Sequence, residues 1–240
     1  MNKNNPQKII EKIRDDYNLI AKEWDLSRNR ASQLKVNLIK SVEPKSKVLD
    51  IGCGNALISP FVLKKSAFYY GLDISEKLIE ISREKYKKEI EEEKVKFFVG
   101  QATELPFGDE EFDFVISFAV LHHIPSKEIR KKFFKEIMRI SKPNAKIKII
   151  VWNLLNEWTN KRFDIENKFK GKNSGDIFIP WKATQGKIIN RYVHQFSEEE
   201  LFSLAKNTGF ENIKINLFNR AGKKTENGEE MVLEMEYAKC

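Results

Sequence analysis

Short apolar segments alternate with amphipathic segments along most of the chain. The apolar segments are rich in β-branched and aromatic residues and predict strands at residues 47–51, 67–73, 95–99, 112–117 and 147–151. The intervening segments predict helices at residues 56–64, 75–90 and 127–141, the last ending before Pro143. Strands that alternate with helices indicate an α/β fold, in which helices cover both faces of a parallel sheet.

The C-terminal part of the chain breaks this alternation. Ser197, with Glu200 three residues later, has the pattern of a helix start, and Gly209 has the pattern of a helix end. Two apolar segments, residues 211–218 and 231–237, follow without a helix between them and are expected to pair antiparallel. The predicted fold is therefore a Rossmann-like, mostly parallel seven-stranded sheet with a C-terminal antiparallel hairpin.

We expect residues 1–240 to form a single domain with four parts. Residues 1–46 form an N-terminal helical cap, broken around residues 25–29, and residues 47–151 form the core. Residues 152–196 are an insertion, and residues 197–240 supply the last helix and the hairpin. Residues 152–190 read as an irregular, basic, Trp-containing stretch, and long connections of this kind are often functional.

Composition and charge narrow the function classes. The formal net charge of +8 is concentrated in three basic tracts, residues 1–47, 127–142 and 161–191, around an acidic middle. Such tracts either attract a polyanion such as nucleic acid or are solvated helix faces. Two cysteines and three histidines at unrelated spacings predict neither a disulfide framework nor a metal site. No signal peptide or membrane-spanning run is recognisable, so a cytoplasmic location is expected.

The first strand ends in a turn that favours a ligand site. Asp50 precedes Gly52 and Gly54, which allow a sharp turn and a close approach of backbone to ligand, and Asp73 ends the second strand. Leu57 stands where a dinucleotide fingerprint needs its third glycine, so pyrophosphate is disfavoured. S-adenosylmethionine, with an ammonium and a sulfonium group, suits the two acids better. Capping of the strand ends is the structural alternative for both aspartates.

Five runs then carry a family resemblance: VLDIGCGNA (48–56), GLDIS (71–75), GQATELPFGDEEFDFVIS (100–117), FAVLHHI (118–124) and FFKEIMRISKPNAKIKIIVW (133–152). Over about residues 40–240 the chain resembles the class I S-adenosylmethionine-dependent methyltransferases. The resemblance implies this cofactor and a set of binding residues: Tyr17, Asp50, Gly52, Cys53, Gly54, Asp73, Ile74, Gln101, Ala102, Ser117 and Phe118. Ala56, Gln101 and Asn144-Ala145 depart from the usual pattern of the family.

In this assignment the methionine end of the cofactor lies against Asp50 and the two glycines. Asp73 binds the ribose, and Ile74, Gln101 and Ala102 surround the adenine. Ser117 and Phe118 pass beside the sulfonium. Cys53, inside the glycine turn, is expected to be a small buried side chain rather than a nucleophile.

A narrower resemblance lies outside the cofactor site. The runs YNLIAKEW (17–24) with Ser27-Arg28, VLHHI (120–124), DIFIPWK (176–182) and RYVH (191–194) are similar to those of the tRNA wobble-uridine carboxymethyl methyltransferases. This resemblance implies 5-carboxymethyluridine as the methyl acceptor, the tRNA anticodon loop as a partner, and a small zinc-binding activator protein as a further partner. The activator covers an apolar edge of the sheet, for which residues 95–99 are one candidate.

Acceptor-side residues follow from the same comparison. A carboxylate is already ionised at pH 7, so the reaction needs positioning rather than a general base. Suitable donors are Arg28, His122, Arg191 and His194, and Trp181 is suited to stack on an extruded base. Of the two adjacent histidines we expect His122 to face the pocket and His123 to pack. Trp24 and Trp152 are expected in the core, Arg28 could instead pair with an acid, and His194 could be a surface residue.

Two other functions stay open from the sequence. The first is a small-molecule methyltransferase acting on a quinone precursor or a carboxylic acid, although the basic residues between 161 and 191 lean against a lipid-like acceptor. The second is a cofactor-binding but inactive RNA-binding subunit. The intact acids and glycines of the turn argue against that reading.

Overall fold

The computed structural model describes residues 5–170, 175–182, 188–219 and 221–237. The strands in these ranges are β1 Lys47–Ile51, β2 Phe68–Asp73, β3 Val95–Val99, β4 Phe112–Phe118, β5 Ser141–Trp152, β6 Asp176–Lys182, β7 Ile188–His194, β8 Glu211–Phe218 and β9 Glu230–Glu236. The helices are α1 Pro6–Ser27, α2 Gln33–Leu38, α3 Ser59–Leu63, α4 Glu76–Lys85, α5 Lys87–Glu91, α6 Lys127–Ile140, α7 Glu157–Phe163, α8 Ile165–Phe169 and α9 Glu198–Thr208. None of these helices combines the length and the hydropathy needed to cross a bilayer.

Seven strands form one sheet in the order β3-β2-β1-β4-β5-β9-β8. The first five strands in this order, β3, β2, β1, β4 and β5, are parallel. Strand β9 pairs antiparallel with β5, and β8 pairs antiparallel with β9. Successive side chains of a strand point to opposite faces, so Val48 and Leu49 belong to two different core clusters. The predicted seven-stranded fold with its C-terminal hairpin is confirmed.

Local turns shift several predicted boundaries. The helix after the glycine turn begins at Ser59, because Ala56 has a left-handed φ of 56°. The helix predicted over residues 75–90 is interrupted at Tyr86. The fifth strand begins at Ser141, before Pro143.

Helix α1 is fixed to the edge of the sheet at which the parallel strands end. The Oδ1 atom of Asn18 accepts hydrogen bonds from the Ser75 hydroxyl at 2.8 Å and from the Lys77 N–H at 3.2 Å. The Nδ2 group of Asn55 donates to Asp25 Oδ1 at 2.8 Å and to the Arg28 carbonyl at 2.7 Å. These bonds join both the middle and the end of α1 to the turns that follow β1 and β2.

The described part of the segment predicted to be irregular forms helices and strands, and that prediction was wrong there. Residues 152–190 include α7, α8 and β6, and β6 pairs antiparallel with β7 in a separate two-stranded sheet. A small apolar cluster of their own holds these elements together: Leu154, Ile165, Ile177, Ile179 and Val193. The division of the chain into four parts of one domain stays a prediction.

Candidate functional site

A cavity of about 1090 Å³ opens where β1, β2 and β4 end. Helix α1, helix α7 and the β6–β7 pair close its other sides. Most of the residues proposed from the sequence line it: Tyr17, Arg28, Asp50, Gly52, Cys53, Gly54, Asp73, Ile74, Gln101, Ala102, Phe118, Trp181 and Arg191. Their individual roles stay predictions, but the structure brings them together at one place.

The glycine turn forms the floor of this cavity. Gly52 has a φ of +75°, and a Cβ at this position would collide with the side chain of Val120. The Gly52 N–H donates to the Leu72 carbonyl at 2.6 Å, and the Gly54 N–H donates to Asp73 Oδ2 at 2.9 Å. Burial, with Asp73 and Asp50 nearby, raises the pKa of the Cys53 thiol well above its ordinary value. This shift disfavours the thiolate, which is the nucleophilic form of cysteine.

The two acids of the site are buried and hydrogen-bonded differently. Asp50 accepts a hydrogen bond from the Tyr69 hydroxyl at 2.7 Å, and burial raises its pKa to about 6 although Tyr69 and Lys35 oppose that rise. Asp73 accepts the N–H groups of Gly54 and Ser75, and burial raises its pKa despite these bonds. Each carboxylate oxygen has two lone pairs, so Asp73 keeps acceptor capacity for hydroxyl groups.

Lys35 is a cavity residue that the sequence analysis missed. Its Nζ atom lies 5.7 Å from the centroid of the Phe118 ring. Burial lowers the pKa of Lys35, while Glu230 and Asp50 counteract that shift. Lys35 lines the same cavity as Asp50, and that carboxylate favours its charged form.

Arg191 reaches the cavity from β7 and is buried, with 5% of its surface exposed. Its Cζ atom lies 5.1 Å from the centroid of the Trp152 ring. Its Nε and Nη1 atoms are buried and have no hydrogen-bond partner among the residues that the structure describes. A buried guanidinium with two unpartnered donor nitrogens is costly, and a bound anion would relieve that cost.

The two adjacent histidines occupy the reverse of the expected positions. His123 lines the cavity, where its Nε2 atom lies 3.2 Å from the Tyr17 hydroxyl and its Nδ1 atom lies 2.7 Å from the Tyr192 carbonyl. Nδ1 faces a carbonyl oxygen and therefore carries the proton, so Nε2 accepts from Tyr17. His122 lies outside the lining, and its ring stacks on the Trp152 indole. Its Nδ1 atom accepts a hydrogen bond from the backbone N–H of Trp152 at 3.2 Å.

Both histidines are neutral at physiological pH. Burial lowers the pKa of His122 well below its ordinary value, and burial together with Arg191 lowers the pKa of His123 to about 3. Burial also raises the pKa of Tyr17, although Arg191 opposes that rise. The prediction that His122 faces the pocket was wrong, because the turn at Leu121–His123 aims its ring at the backbone of β5.

Two further predicted residues do not reach the cavity lining. The Ser117 side chain is fully buried and donates to the Ile51 carbonyl at 3.1 Å, which turns it toward β1. His194 lies between Asp176 at 2.6 Å and Glu200 at 2.9 Å, so both ring nitrogens are engaged by carboxylates. It belongs to a partly buried polar cluster between β6, β7 and α9 and does not line the cavity.

Aromatic side chains form much of the upper cavity wall. Trp24 and Trp152, expected in the core, both line the cavity, and Trp24 lies 6.4 Å from Trp181 between ring centroids. The guanidinium of Arg28 lies 4.7 Å from the Trp24 centroid. Trp158 of α7 also lines the cavity, and so does Arg162, one helical turn later. In the sequence, only the four-residue spacing of Trp158 and Arg162 indicates that the two side chains share one face of a helix.

S-adenosylmethionine fits the residues on this wall. Asp50 would face the ammonium group and Lys35 the carboxylate next to it, and Asp73 has lone pairs that would accept the ribose hydroxyls. The turn at Gly52 and Gly54 leaves room for close approach. Within the described ranges, no group of three histidine, cysteine or acidic side chains is arranged to hold a metal ion.

Comparison with known proteins agrees with this geometry. A family model described as a methyltransferase domain matches residues 49–149. A tRNA (carboxymethyluridine(34)-5-O)-methyltransferase of Arabidopsis thaliana is 33% identical over 150 residues, covering 60% of this chain and 35% of that protein. A demethylmenaquinone methyltransferase of Bacillus mycoides is 30% identical over 142 residues, covering 58% of each. The chain thus spans less than two thirds of the length of these relatives.

Solved structures share the fold. A SAM-dependent methyltransferase from Methanosarcina mazei has a TM-score of 0.66 at 24% identity, over 84% of this chain and 97% of that one. A chain from the complex between the Haloferax volcanii Trm112 methyltransferase activator and a methyltransferase has a TM-score of 0.66 at 15% identity, over 93% of this chain and 99% of that one. At these identities the likeness concerns the fold alone.

Proposed function

We propose, from the premise that residues 49–149 form a methyltransferase domain of the S-adenosylmethionine-dependent class, that this protein methylates a carboxylate. The acceptor is the carboxylate of 5-carboxymethyluridine at the tRNA wobble position, and the product is its methyl ester. The observation that carries the proposal is the buried guanidinium of Arg191 on the cavity wall, with two donor nitrogens that have no acceptor among the described residues. Other acceptors are outcomes of the test below.

An ionised carboxylate satisfies that guanidinium better than a neutral acceptor does, because charge-assisted hydrogen bonds are shorter and stronger. The Arg191 Cζ atom lies 5.1 Å from the centroid of the Trp152 ring, so the indole flanks the guanidinium. The bound cofactor supplies an electrophilic methyl group, and the protein positions the acceptor oxygen in line with it. An ionised acceptor needs no proton removed, which agrees with the neutral, hydrogen-bonded state of His123.

The cavity offers separate cations for two carboxylates. Lys35 lies on the Asp50 side, where the methionine end of the cofactor brings both an ammonium and a carboxylate. Arg191 lines the cavity beside Tyr17 and Trp152. These different neighbours support Lys35 as the partner of the cofactor carboxylate and Arg191 as the partner of the acceptor carboxylate.

The remaining wall suits a nucleobase. Trp24 and Trp181 offer aromatic faces, and Arg28 adds a planar cation beside them. Single-stranded RNA is commonly held by stacking of extruded bases on such groups. The net charge of +8 favours a polyanion such as tRNA, and the name of the Arabidopsis thaliana relative supports the same acceptor.

The activator is a further part of this proposal. Strand β3 lies at one end of the sheet order, so one of its backbone edges is unpaired within the sheet. Val99 at its end is 43% exposed, and Phe68 at the start of β2 is 40% exposed. We place a small zinc-binding activator on this edge, and the assay is therefore run with and without such a protein.

The test is methyl transfer from labelled S-adenosylmethionine to tRNA that carries 5-carboxymethyluridine. We expect label that mild alkali removes, as an ester requires, and no label on tRNA that lacks the carboxymethyl group. Alkali-stable label on RNA would move the reaction to another position. Transfer to a quinone precursor, with none to tRNA in the presence of the activator, would establish the small-molecule alternative.

The first prediction concerns Arg191→Gln. We expect kcat/KM for tRNA to fall about 10- to 100-fold, since charge-assisted hydrogen bonds to the acceptor are lost. Binding of S-adenosylhomocysteine, measured by calorimetry, should change less than about threefold by the same reasoning, because no acceptor contact is involved. Arg14→Gln on the outer side of α1 serves as the control. An equal loss of cofactor-product binding in Arg191→Gln would assign Arg191 to the cofactor carboxylate instead.

A further inference from the structure

We infer that α7 carries a second nucleotide subsite at the cavity, formed by Trp158 and Arg162. It would hold a nucleotide that flanks the methylated one in the RNA strand. The inference rests on the proposed function for the identity of the methylated nucleotide. None of the sequence motifs of either family resemblance includes this pair of residues.

The first observation is the placement of the two side chains. Trp158 and Arg162 are four residues apart on α7, so they share one face of the helix. Both line the cavity. Trp158 keeps 41% of its surface exposed.

The second observation is the contact between them. The Arg162 Cζ atom lies 5.2 Å from the centroid of the Trp158 ring and 5.4 Å from that of Phe163. An arginine against aromatic rings keeps its charge and its planar set of donors. The pair therefore presents an aromatic surface next to a phosphate-binding cation, the combination that holds a nucleotide in single-stranded RNA.

The third observation is that hydrogen bonds at its N-terminal end and a buried residue after its C-terminal end fix α7 in place. Asn156 Oδ1 accepts the Thr159 N–H at 2.9 Å, and Asn156 Nδ2 donates to the Thr159 hydroxyl at 2.8 Å and to the Asn153 carbonyl. Ile165, directly after the helix, is fully buried. The exposed indole is thus held by a fixed scaffold, and little ordering is needed when a base stacks on it.

The occupant follows from charge and from continuity with the cavity. Arg28 and Arg30 line the same cavity as Arg162, while the acid at the start of α7, Glu157, is paired with Lys161 at 2.7 Å. A strand that inserts one base among Trp24 and Trp181 carries a phosphate on either side of that base. Cations beside the aromatic faces match this repeat of base and phosphate and do not match an uncharged lipid tail.

The test separates the flanking nucleotide from the methylated one by using two acceptors. An anticodon stem-loop RNA with 5-carboxymethyluridine contains both, and the free nucleoside 5-carboxymethyluridine contains only the second. We expect Trp158→Ala to weaken binding of the fluorescently labelled stem-loop about tenfold, as loss of one stacked base predicts. The KM for the nucleoside should not change, and Trp158→Phe should retain most of the RNA affinity. Phe202→Ala, at an exposed position of α9 outside the cavity lining, is the control.

Arg162 has its own readout. For Arg162→Gln we expect the slope of log K against log salt to become shallower by about 0.7, the value of one phosphate contact on a single strand. Arg162→Lys should restore the slope but not the full affinity, since the planar stack is lost.

Each outcome decides the inference. If Trp158→Ala binds the stem-loop as tightly as the wild type does, the inference is overturned. An equal loss of affinity for the stem-loop and for the nucleoside would also overturn it, because Trp158 would then belong to the acceptor pocket itself. If the wild type binds the stem-loop but never methylates it, the proposed function fails while the binding comparison still decides the subsite. If the wild type binds no RNA, both fail together.

Discussion

At the scale of single residues, the acid that precedes the glycine turn links burial to ligand binding. An aspartate in water titrates near pH 4, whereas burial raises the pKa of Asp50 to about 6. Ionisation of Asp50 in the ligand-free protein therefore costs more free energy than ionisation of an exposed aspartate does. A cation bound beside it removes part of that cost, so the buried acid is better suited to an ammonium ligand than an exposed one.

The second prediction is that affinity for S-adenosylhomocysteine falls as the pH drops below about 6, the pKa of Asp50. Protons then compete with the ligand ammonium for the carboxylate, and the limiting slope is about tenfold per pH unit. The ligand amine stays protonated over this range. Calorimetry at pH 5, 6 and 7 measures the effect. Asp50→Asn should bind weakly at every pH and lack the fall, and an unchanged fall in this variant would identify another titrating group.

Local sequence determined the turn residues but not the orientation of neighbouring side chains. Asp50, Gly52, Gly54 and Asp73 could be predicted because a strand end, a glycine turn and an acid are contiguous features. The choice between two adjacent histidines could not. In the short 3₁₀ turn at Leu121–His123, successive side chains point about 120° apart, and the sequence does not say where that turn begins.

At the scale of elements, the β6–β7 pair is the part of the fold that the sequence analysis missed. Pro180 lies within β6, and proline inside a segment argues against a strand. In a two-stranded sheet every strand is an edge, so a missing N–H is tolerated. The pairing of Ile179 with Arg191 and of Trp181 with Ile189 then brings an arginine and a tryptophan to the same cavity.

A polar cluster holds this pair of strands against the main domain. His194 of β7 contacts Asp176 of β6 and Glu200 of α9, and the guanidinium of Arg130 on α6 lies 3.5 Å from Glu200. Burial alone would lower the pKa of His194, but its hydrogen bonds to the two carboxylates raise it above the ordinary value. Burial would likewise raise the pKa of Asp176 and Glu200, but His194 lowers both.

The third prediction concerns His194→Gln and its dependence on pH. A raised histidine pKa stabilises the fold fully below the unfolded value, near pH 6.5, and that contribution is lost as the pH rises through the folded value. The acids, with lowered pKa values, contribute above their unfolded values and lose that contribution in stronger acid. We therefore expect the variant to lose about 1 kcal/mol of unfolding free energy at pH 5.5, a value reduced because Asp176 is partly solvated.

At pH 8.5 the difference between wild type and His194→Gln should be smaller. Denaturant unfolding at both pH values measures it, and subtracting the two proteins cancels the other titrating groups. Glu199→Gln, on the exposed side of α9, is the control. A difference that grows with pH would contradict a protonated histidine between the two acids.

At the scale of the whole molecule, the cavity joins parts that are far apart in the chain. Helix α1 supplies Tyr17 and Trp24 to the lining. The Tyr17 hydroxyl lies 3.2 Å from His123 Nε2, so α1 contacts the turn after β4. The Asn18 and Asn55 hydrogen bonds hold the same helix against the turns after β1 and β2. The cavity is therefore lined at once by the N-terminal helix, the parallel sheet and the β6–β7 pair.

The fourth prediction is that ligand binding protects elements on all sides of the cavity. With S-adenosylhomocysteine present, hydrogen–deuterium exchange should slow in α1 and in the glycine turn, because a ligand that binds only the closed form raises the free energy of opening. At 100 times Kd the increase is about 2.7 kcal/mol. Helix α5, which has no buried residue and does not line the cavity, is the internal reference. Protection limited to the glycine turn would show that α1 opens independently of the ligand.

The mixed origin of the cavity wall also has a consequence for inheritance. Asp50 and Asp73 lie inside the stretch matched by the methyltransferase-domain model, residues 49–149, whereas Arg28, Trp181 and Arg191 lie outside it. Under the proposed roles, substitutions at Arg28, Trp181 and Arg191 would alter the acceptor side of the cavity while Asp50 and Asp73 stay unchanged. After a gene duplication, two copies could diverge toward different acceptors without passing through a form that has lost its cofactor.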